Sequence, residues 1–173
     1  MNIKKINSYY GYLIILFSVF LVLTLSRLIP HPPNFTPVIA CTVIGCFVAE
    51  NIKIRLLILI GSMLVSDFII GFHDLMIFTY ILIFFLLIIA NKKNYKYMIF
   101  INPLIFYLTT NFLVWLTSGM YDLNLTGLIE CYLLGLPFYG YSFLSTIFYS
   151  ILFLYFFEKK ELLSLKKKYI IYV

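Results

Sequence analysis

Most of the chain consists of apolar runs that are separated by short polar connections. The runs cover residues 10–29, 37–50, 53–70, 75–90, 98–117 and 140–157. A helix of about 20 apolar residues crosses the hydrocarbon core of a bilayer, and the longest runs reach that length. The pattern therefore predicts an all-α integral membrane bundle of about six transmembrane helices, forming a single domain over residues 1–173.

Two regions fall outside these runs. Residues 121–138 are about as long as a short span, but they contain Asp122, Glu130 and Pro137. A full crossing here would move the C-terminus to the other side of the membrane, so we predict a re-entrant or interfacial segment at the outer face. Residues 158–173 are rich in lysine and predict a basic cytoplasmic tail on anionic headgroups.

Prolines and small residues shape the second helix. The prolines within residues 30–33 exclude helix and favour an extended connection, and Thr36-Pro37 has the pattern of an N-cap and a first helical position. Small residues then recur at helical spacing, at Cys41, Gly45 and Ala49. Such a stripe predicts close approach of a neighbouring helix.

The basic residues predict the orientation. All of the thirteen Lys and Arg residues except Arg27 fall on one side of the predicted bundle. Because cytoplasmic loops carry the excess of Lys and Arg, both termini are expected in the cytoplasm. The expected location is the bacterial inner membrane.

Composition supports a lipid environment. The chain is 63% hydrophobic and 12% charged, whereas soluble domains are near half apolar and a quarter charged. The net charge of +6 would suggest nucleic acid in a soluble protein. Here the lysines lie in connections between apolar runs, so the bilayer is the expected partner and nucleic acid is not.

Polar residues that lipid disfavours gather near the predicted outer face. The candidate ligand-binding residues are Arg27, His31, Asn34, Asp67, His73, Asn111 and Trp115. An ionisable group inside a span costs roughly 2.5–3.5 kcal/mol on insertion scales and faces the bundle interior or a cavity. Together with the outward-pointing N-terminus of the second helix, these residues predict a pocket for a carboxylate or phosphate.

A structural alternative stays open. Arg27 and Asp67 could form only a buried ion pair that fixes the first and third helices. Both interpretations require burial of the pair, but only the binding site requires an adjoining void.

Other chemistry has weaker support. His31, His73, Asp67 and Asp74 are metal-ligand types, but no two histidines are closely spaced. Neither HExxH, nor a GxSxG elbow, nor a glycine-rich phosphate loop occurs. The three cysteines lack CxxC spacing, so they are expected to pack as small apolar residues. We predict no catalytic residue, no metal and no cofactor.

Several motif blocks carry a family resemblance between Arg27 and Phe157. They are Arg27, His31-Pro32-Pro33-Asn34-Phe35-Thr36-Pro37-Val38, Ser66-Asp67, Gly71-Phe72-His73, Thr110-Asn111-Phe112, Trp115, Cys131-Tyr132 and Leu136-Pro137-Phe138. These blocks resemble those of a family of uncharacterised small bacterial multi-pass membrane proteins. The layout is similar to the S components of energy-coupling-factor transporters, and more loosely to the rod-shape membrane proteins with the same six-helix architecture.

The S-component likeness implies a function. It implies capture of a vitamin-like or anionic solute at the outer face, energised by an ATPase–transmembrane module. S components dock on that module through an Ala-x-x-x-Ala face of the first helix, whereas residues 10–29 contain no alanine. The rod-shape likeness implies the alternative function, a structural or assembly subunit that binds no ligand.

Overall fold

Six α-helices make up the part of the chain that the structure describes. The computed structural model describes residues 3–158, with side chains described for residues 10–156. The helices are α1 Ile3–Leu28, α2 Val38–Val48, α3 Ile52–Ile70, α4 Met76–Ile89, α5 Tyr95–Thr117 and α6 Leu125–Glu158. Residues 3–158 contain no strand, which confirms the all-α prediction.

Helix α2 lies at the centre of the bundle. It contacts α3, α4, α5 and α6, and all of its residues except Phe47 are buried. Its 11 residues span only about 16 Å, so it is shorter than the predicted run 37–50. The N-cap is Pro37 without a side-chain hydrogen bond, so the prediction that Thr36 caps the helix is wrong.

The C-terminal region differs from the sequence prediction. Residues 125–158 form one helix of 34 residues, where we expected residues 121–138 and the run 140–157 to be separate. Pro137 removes one backbone hydrogen bond, yet the helix continues through it, as α5 does through Pro103. In an apolar surrounding a broken helix would leave several backbone groups unpaired, so continuation is favoured.

The exposed surface is that of a membrane protein. Three helical segments, Tyr10–Leu28, Tyr95–Thr117 and Leu125–Phe156, are long and apolar enough to cross a membrane. Large apolar side chains such as Leu57, Phe68 and Ile77 are more than half exposed. Contiguous exposure of this kind is unfavourable in water and natural in lipid.

The two ends of the bundle are named after the arginine that lies at each of them. Helices α1 and α3 pack together and run parallel, because Arg27 meets Asp67 and Phe20 meets Gly61. We call the end where α1 and α3 finish the Arg27 end. The opposite end, where α2 and α4 finish and α3 begins, is the Arg55 end.

A buried polar link joins three helices in the interior. Asn102 of α5 donates from Nδ2 to Oγ1 of Thr42 on α2 at 2.8 Å, and more weakly to the Leu86 carbonyl of α4 at 3.4 Å. Asn102 and Thr42 are both fully buried. Hydrogen bonds between helices contribute about 0.6 kcal/mol each in membranes, so this link positions α2 against α4 and α5.

Candidate site at the Arg27 end

Arg27 and Asp67 form the predicted ion pair. The guanidinium Nη2 donates to Oδ1 of Asp67, and Asp67 is buried while the Arg27 side chain is partly exposed. Arg27 is the last residue but one of α1, and Asp67 lies about one turn before the end of α3. Because α1 and α3 are parallel, the sequence placed the two side chains at the correct common depth.

Tyr80 completes this group from α4. Its hydroxyl donates to Oδ2 of Asp67 at 2.5 Å, so both carboxylate oxygens have partners. Sequence analysis missed Tyr80. The sequence could have indicated Tyr80, because a short connection joins α3 and α4. Asp67 and Tyr80 are at similar distances from that connection, so they are expected at a similar depth in the bundle.

One nitrogen of the pair has no partner. Nη1 of Arg27 is buried and makes no hydrogen bond to any described residue. An unmade hydrogen bond from a buried charged group is costly. Arg27 therefore has a donor to spare after Asp67 is bonded.

Asn111 and Trp115 belong to a different part of the molecule. Asn111 donates to the Tyr107 carbonyl at 2.9 Å and accepts on its own carbonyl from the thiol of Cys131. Trp115 donates from Nε1 to the Asp122 carbonyl at 2.9 Å. These bonds lie within the α5–α6 hairpin, so the structure does not bring either residue to Arg27 through direct contact.

The first and second loops hold the remaining candidates. His31 contacts the neighbouring Pro32 carbonyl, and Asn34 has φ +63° and accepts from Ser145 of α6 on its carbonyl. His73 is exposed. These three side chains make no recorded bond to Arg27 or Asp67, and their part in binding stays a prediction.

The small stripe of α2 faces an arginine. A Cβ added at Gly45 would lie 3.6 Å from Cδ of Arg55, so the Arg55 side chain lies over the stripe. The stripe therefore contacts a side chain of the neighbouring helix α3 at Gly45. A tight contact between helices occurs at Gly135 of α6, where an added Cβ would lie 2.3 Å from Oδ1 of Asn111 on α5.

Arg55 was also missed as an interior residue. The sequence counted it among the basic residues of the cytoplasmic side at the start of the run 53–70, whereas in α3 the residue is only partly exposed and its Nε and Nη1 are buried. The buried face of α3 contains Leu59, Ser62 and Ser66. Extending that spacing one turn toward the N-terminus reaches position 55.

Two cavities lie at the Arg55 end. An open depression of about 450 Å³ is lined by Cys46, Glu50, Asn91, Lys92 and Lys93. A cavity of about 10 Å³ is lined by Arg55 and by apolar residues of α1, α2 and α3. Neither cavity touches Arg27 or Asp67.

Metal ligands are not clustered in the described part of the chain. No three His, Cys, Asp or Glu side chains are grouped there in a way that could hold an ion. Cys41, Cys46 and Cys131 form no disulfide among the described residues, and all three are buried.

The comparisons with known proteins identify a family alone. No curated protein and no solved structure matches the chain. A family model described as a family of unknown function, DUF6580, matches residues 7–168. Because this match covers nearly the whole sequence, including all the motif blocks, the chain belongs to the DUF6580 family.

Proposed function

We propose that the chain captures a small anionic solute at its Arg27 end, as the substrate-binding component of a transporter. In this proposal six helices cross the bacterial inner membrane in an S-component-like arrangement, with both termini in the cytoplasm. An ATPase–transmembrane module is the expected energising partner. The absence of alanine from α1 means that such a module would dock through another face.

The spare donor of Arg27 carries the proposal. Asp67 is bonded by Arg27 and by Tyr80, while Nη1 of Arg27 is buried without a partner among the described residues. A purely structural pair needs no additional donor, whereas a guanidinium that binds an anion does. Arginine is suited to carboxylates and phosphates because its planar fork presents several N–H groups together.

The second candidate is a structural or assembly subunit. It is favoured by the position of Asn111 and Trp115, whose polar groups bond inside the α5–α6 hairpin. It is also favoured by the cavities, neither of which adjoins the Arg27–Asp67 pair. A subunit of this kind would use the ion pair only to fix α1 to α3.

Melting temperatures with matched acids and uncharged analogues distinguish these functions. We expect an anionic solute such as nicotinate or pantothenate to stabilise the purified protein, and the uncharged analogues nicotinamide and panthenol to have no effect. A ligand at 100 times its Kd adds about 2.7 kcal/mol, which raises the melting temperature of a protein this size by about 5–10 °C.

A double variant provides the control for this measurement. Arg27→Gln with Asp67→Asn removes both charges and leaves no unpaired ion, so it should fold and lose the response to acids. The capture proposal fails if no anion from a broad panel stabilises the parent, or if the double variant responds equally.

Reporter fusions test the proposed membrane orientation. Fusions after Asn94 and after Val173 should report the cytoplasm, and a fusion after Asp122 should report the periplasm. The physical reason is the excess of Lys and Arg on the side that contains residues 92–96. A periplasmic Val173 fusion would require an odd number of crossings and contradict the proposed six.

A further inference from the structure

Basic and aromatic side chains mark the Arg55 end as the level of the lipid headgroups. Tyr10 of α1 and Tyr97 of α5 lie at this end and are more than half exposed. Tyrosines of membrane proteins gather where hydrocarbon meets water, and lysines there attract anionic headgroups. Every lysine whose side chain is described lies at this end and is exposed, namely Lys53, Lys92, Lys93 and Lys96.

The open depression of about 450 Å³ lies among these lysines. Cys46 and Glu50 line it from the end of α2, and residues 91–93 line it from the connection between α4 and α5. Small-molecule sites have volumes of ~300–1,000 Å³. The depression is therefore large enough for a phosphate group and the glycerol attached to it.

Lys93 supplies a cation to this depression. Lys92 is paired with Glu50, whereas neither salt bridge recorded among the described residues includes Lys93. Side-chain oxygens fix the turn that carries both lysines. Oδ1 of Asn91 accepts from the backbone N–H of Lys93 at 2.8 Å, and Oδ1 of Asn94 accepts from the backbone N–H of Asn91 at 2.7 Å. Since lysine binds phosphate as a point charge, the depression is suited to an anionic phosphate.

An exposed apolar stripe on α4 ends beside the depression. Ile81, Phe85 and Ile88 are each at least half exposed, and their spacing places them on one face of the helix. Ile88 lies three residues before Asn91, which is about one helical turn. This surface suits an acyl chain, and a free phosphate ion gains nothing from it. The stripe therefore favours a lipid over a soluble phosphate.

We propose that the depression binds the headgroup of an anionic phospholipid, with its phosphate at Lys93 and an acyl chain along the α4 stripe. Basic pockets between transmembrane helices are typical sites for such headgroups. The lipid site is separate from the Arg27 end. It requires neither the solute capture nor the membrane orientation proposed above.

Native mass spectrometry of the protein in mild detergent measures the lipid affinity. Phosphatidylglycerol is compared with phosphatidylcholine of the same acyl chains, because both contain a phosphodiester but only phosphatidylglycerol has a net negative charge. We expect the parent to bind phosphatidylglycerol about fivefold more tightly, the effect of one lysine near a membrane surface. Equal affinities for the two lipids would contradict the proposal.

Two charge-removing variants at the Arg55 end test the position of the site. Lys93→Gln and Lys53→Gln each remove one exposed positive charge, but of these two lysines only Lys93 lines the depression. Lys93→Gln should lose the preference for phosphatidylglycerol, while Lys53→Gln and the charge-conserving Lys93→Arg should keep it. Equal losses in Lys93→Gln and Lys53→Gln would mean diffuse attraction to a basic surface, and the proposal would be wrong.

Inorganic phosphate distinguishes a lipid from a free ion. The delipidated parent and Lys93→Gln are melted in sodium phosphate and in sodium chloride of equal ionic strength. We expect no effect of phosphate on the melting temperature that depends on Lys93, and a Lys93-dependent rise when phosphatidylglycerol is added. A phosphate-induced rise in the parent that Lys93→Gln abolishes would assign the depression to free phosphate and overturn the lipid site.

Discussion

Replacing Arg27 by alanine is expected to lower the free energy of unfolding by about 3–5 kcal/mol, the cost of breaking a buried ion pair. The variant leaves the buried carboxylate of Asp67 with the hydroxyl of Tyr80 as its recorded hydrogen-bond donor. Asp67 is only 1% exposed, so water does not solvate its carboxylate. One hydrogen bond from a neutral hydroxyl does not replace the lost cation. Titration with sodium dodecyl sulfate in mixed micelles measures the loss.

A second substitution should reverse much of this effect. In the Arg27→Ala background, Asp67→Asn removes the uncompensated charge and keeps the shape of the side chain. We expect the double variant to be more stable than Arg27→Ala alone, because the penalty comes from the stranded carboxylate rather than from the lost attraction. Equal stability of the two variants would mean that Asp67 is reached by water.

Gly135→Ala should destabilise the α5–α6 hairpin by about 1–3 kcal/mol, the usual cost of overpacking. An added Cβ would lie 2.3 Å from Oδ1 and 2.8 Å from Cγ of Asn111. The Asn111 side chain is held by its bond to the Tyr107 carbonyl, so it must give up that bond to make room. Thermal unfolding in detergent detects the change.

Gly140 offers a matched control on the same helix. An added Cβ there meets nothing within 4 Å, and alanine is favoured over glycine in a helix by about 1 kcal/mol. Gly140→Ala should therefore be neutral or stabilising. Adding Asn111→Ala to Gly135→Ala should restore part of the lost stability, and equal effects of the two glycine variants would contradict this packing.

Apolar runs predicted much of the helical layout, because the position of a helix depends on the composition and period of its residues. Four of the six described helices follow a predicted run to within three residues. Arg27 and Asp67 meet as expected, since both lie near the ends of two parallel helices. The break within α6 was wrong because glycine and proline are strong helix breakers in water, while an apolar surrounding enforces backbone bonding.

The partners of each helical face could not be predicted in the same way. The spacing of Asn111 and Trp115 shows that they share a face of α5, but not that this face packs on α6. The small stripe on α2 indicated a close neighbour, and the neighbour is the side chain of Arg55 rather than a backbone. Helical periodicity shows which residues share a face of one helix. It does not show which other helix packs against that face, and both of these neighbours depend on that packing.

Identification of small molecules that co-purify with the protein tests its proposed role most directly. The parent and the Arg27→Gln, Asp67→Asn double variant are purified in mild detergent from the same cells, and extracts are compared by mass spectrometry. We predict an anionic solute in near-stoichiometric amount with the parent and none with the double variant. A parent without any such solute, or the same solute retained by a folded double variant, would contradict anion capture at Arg27.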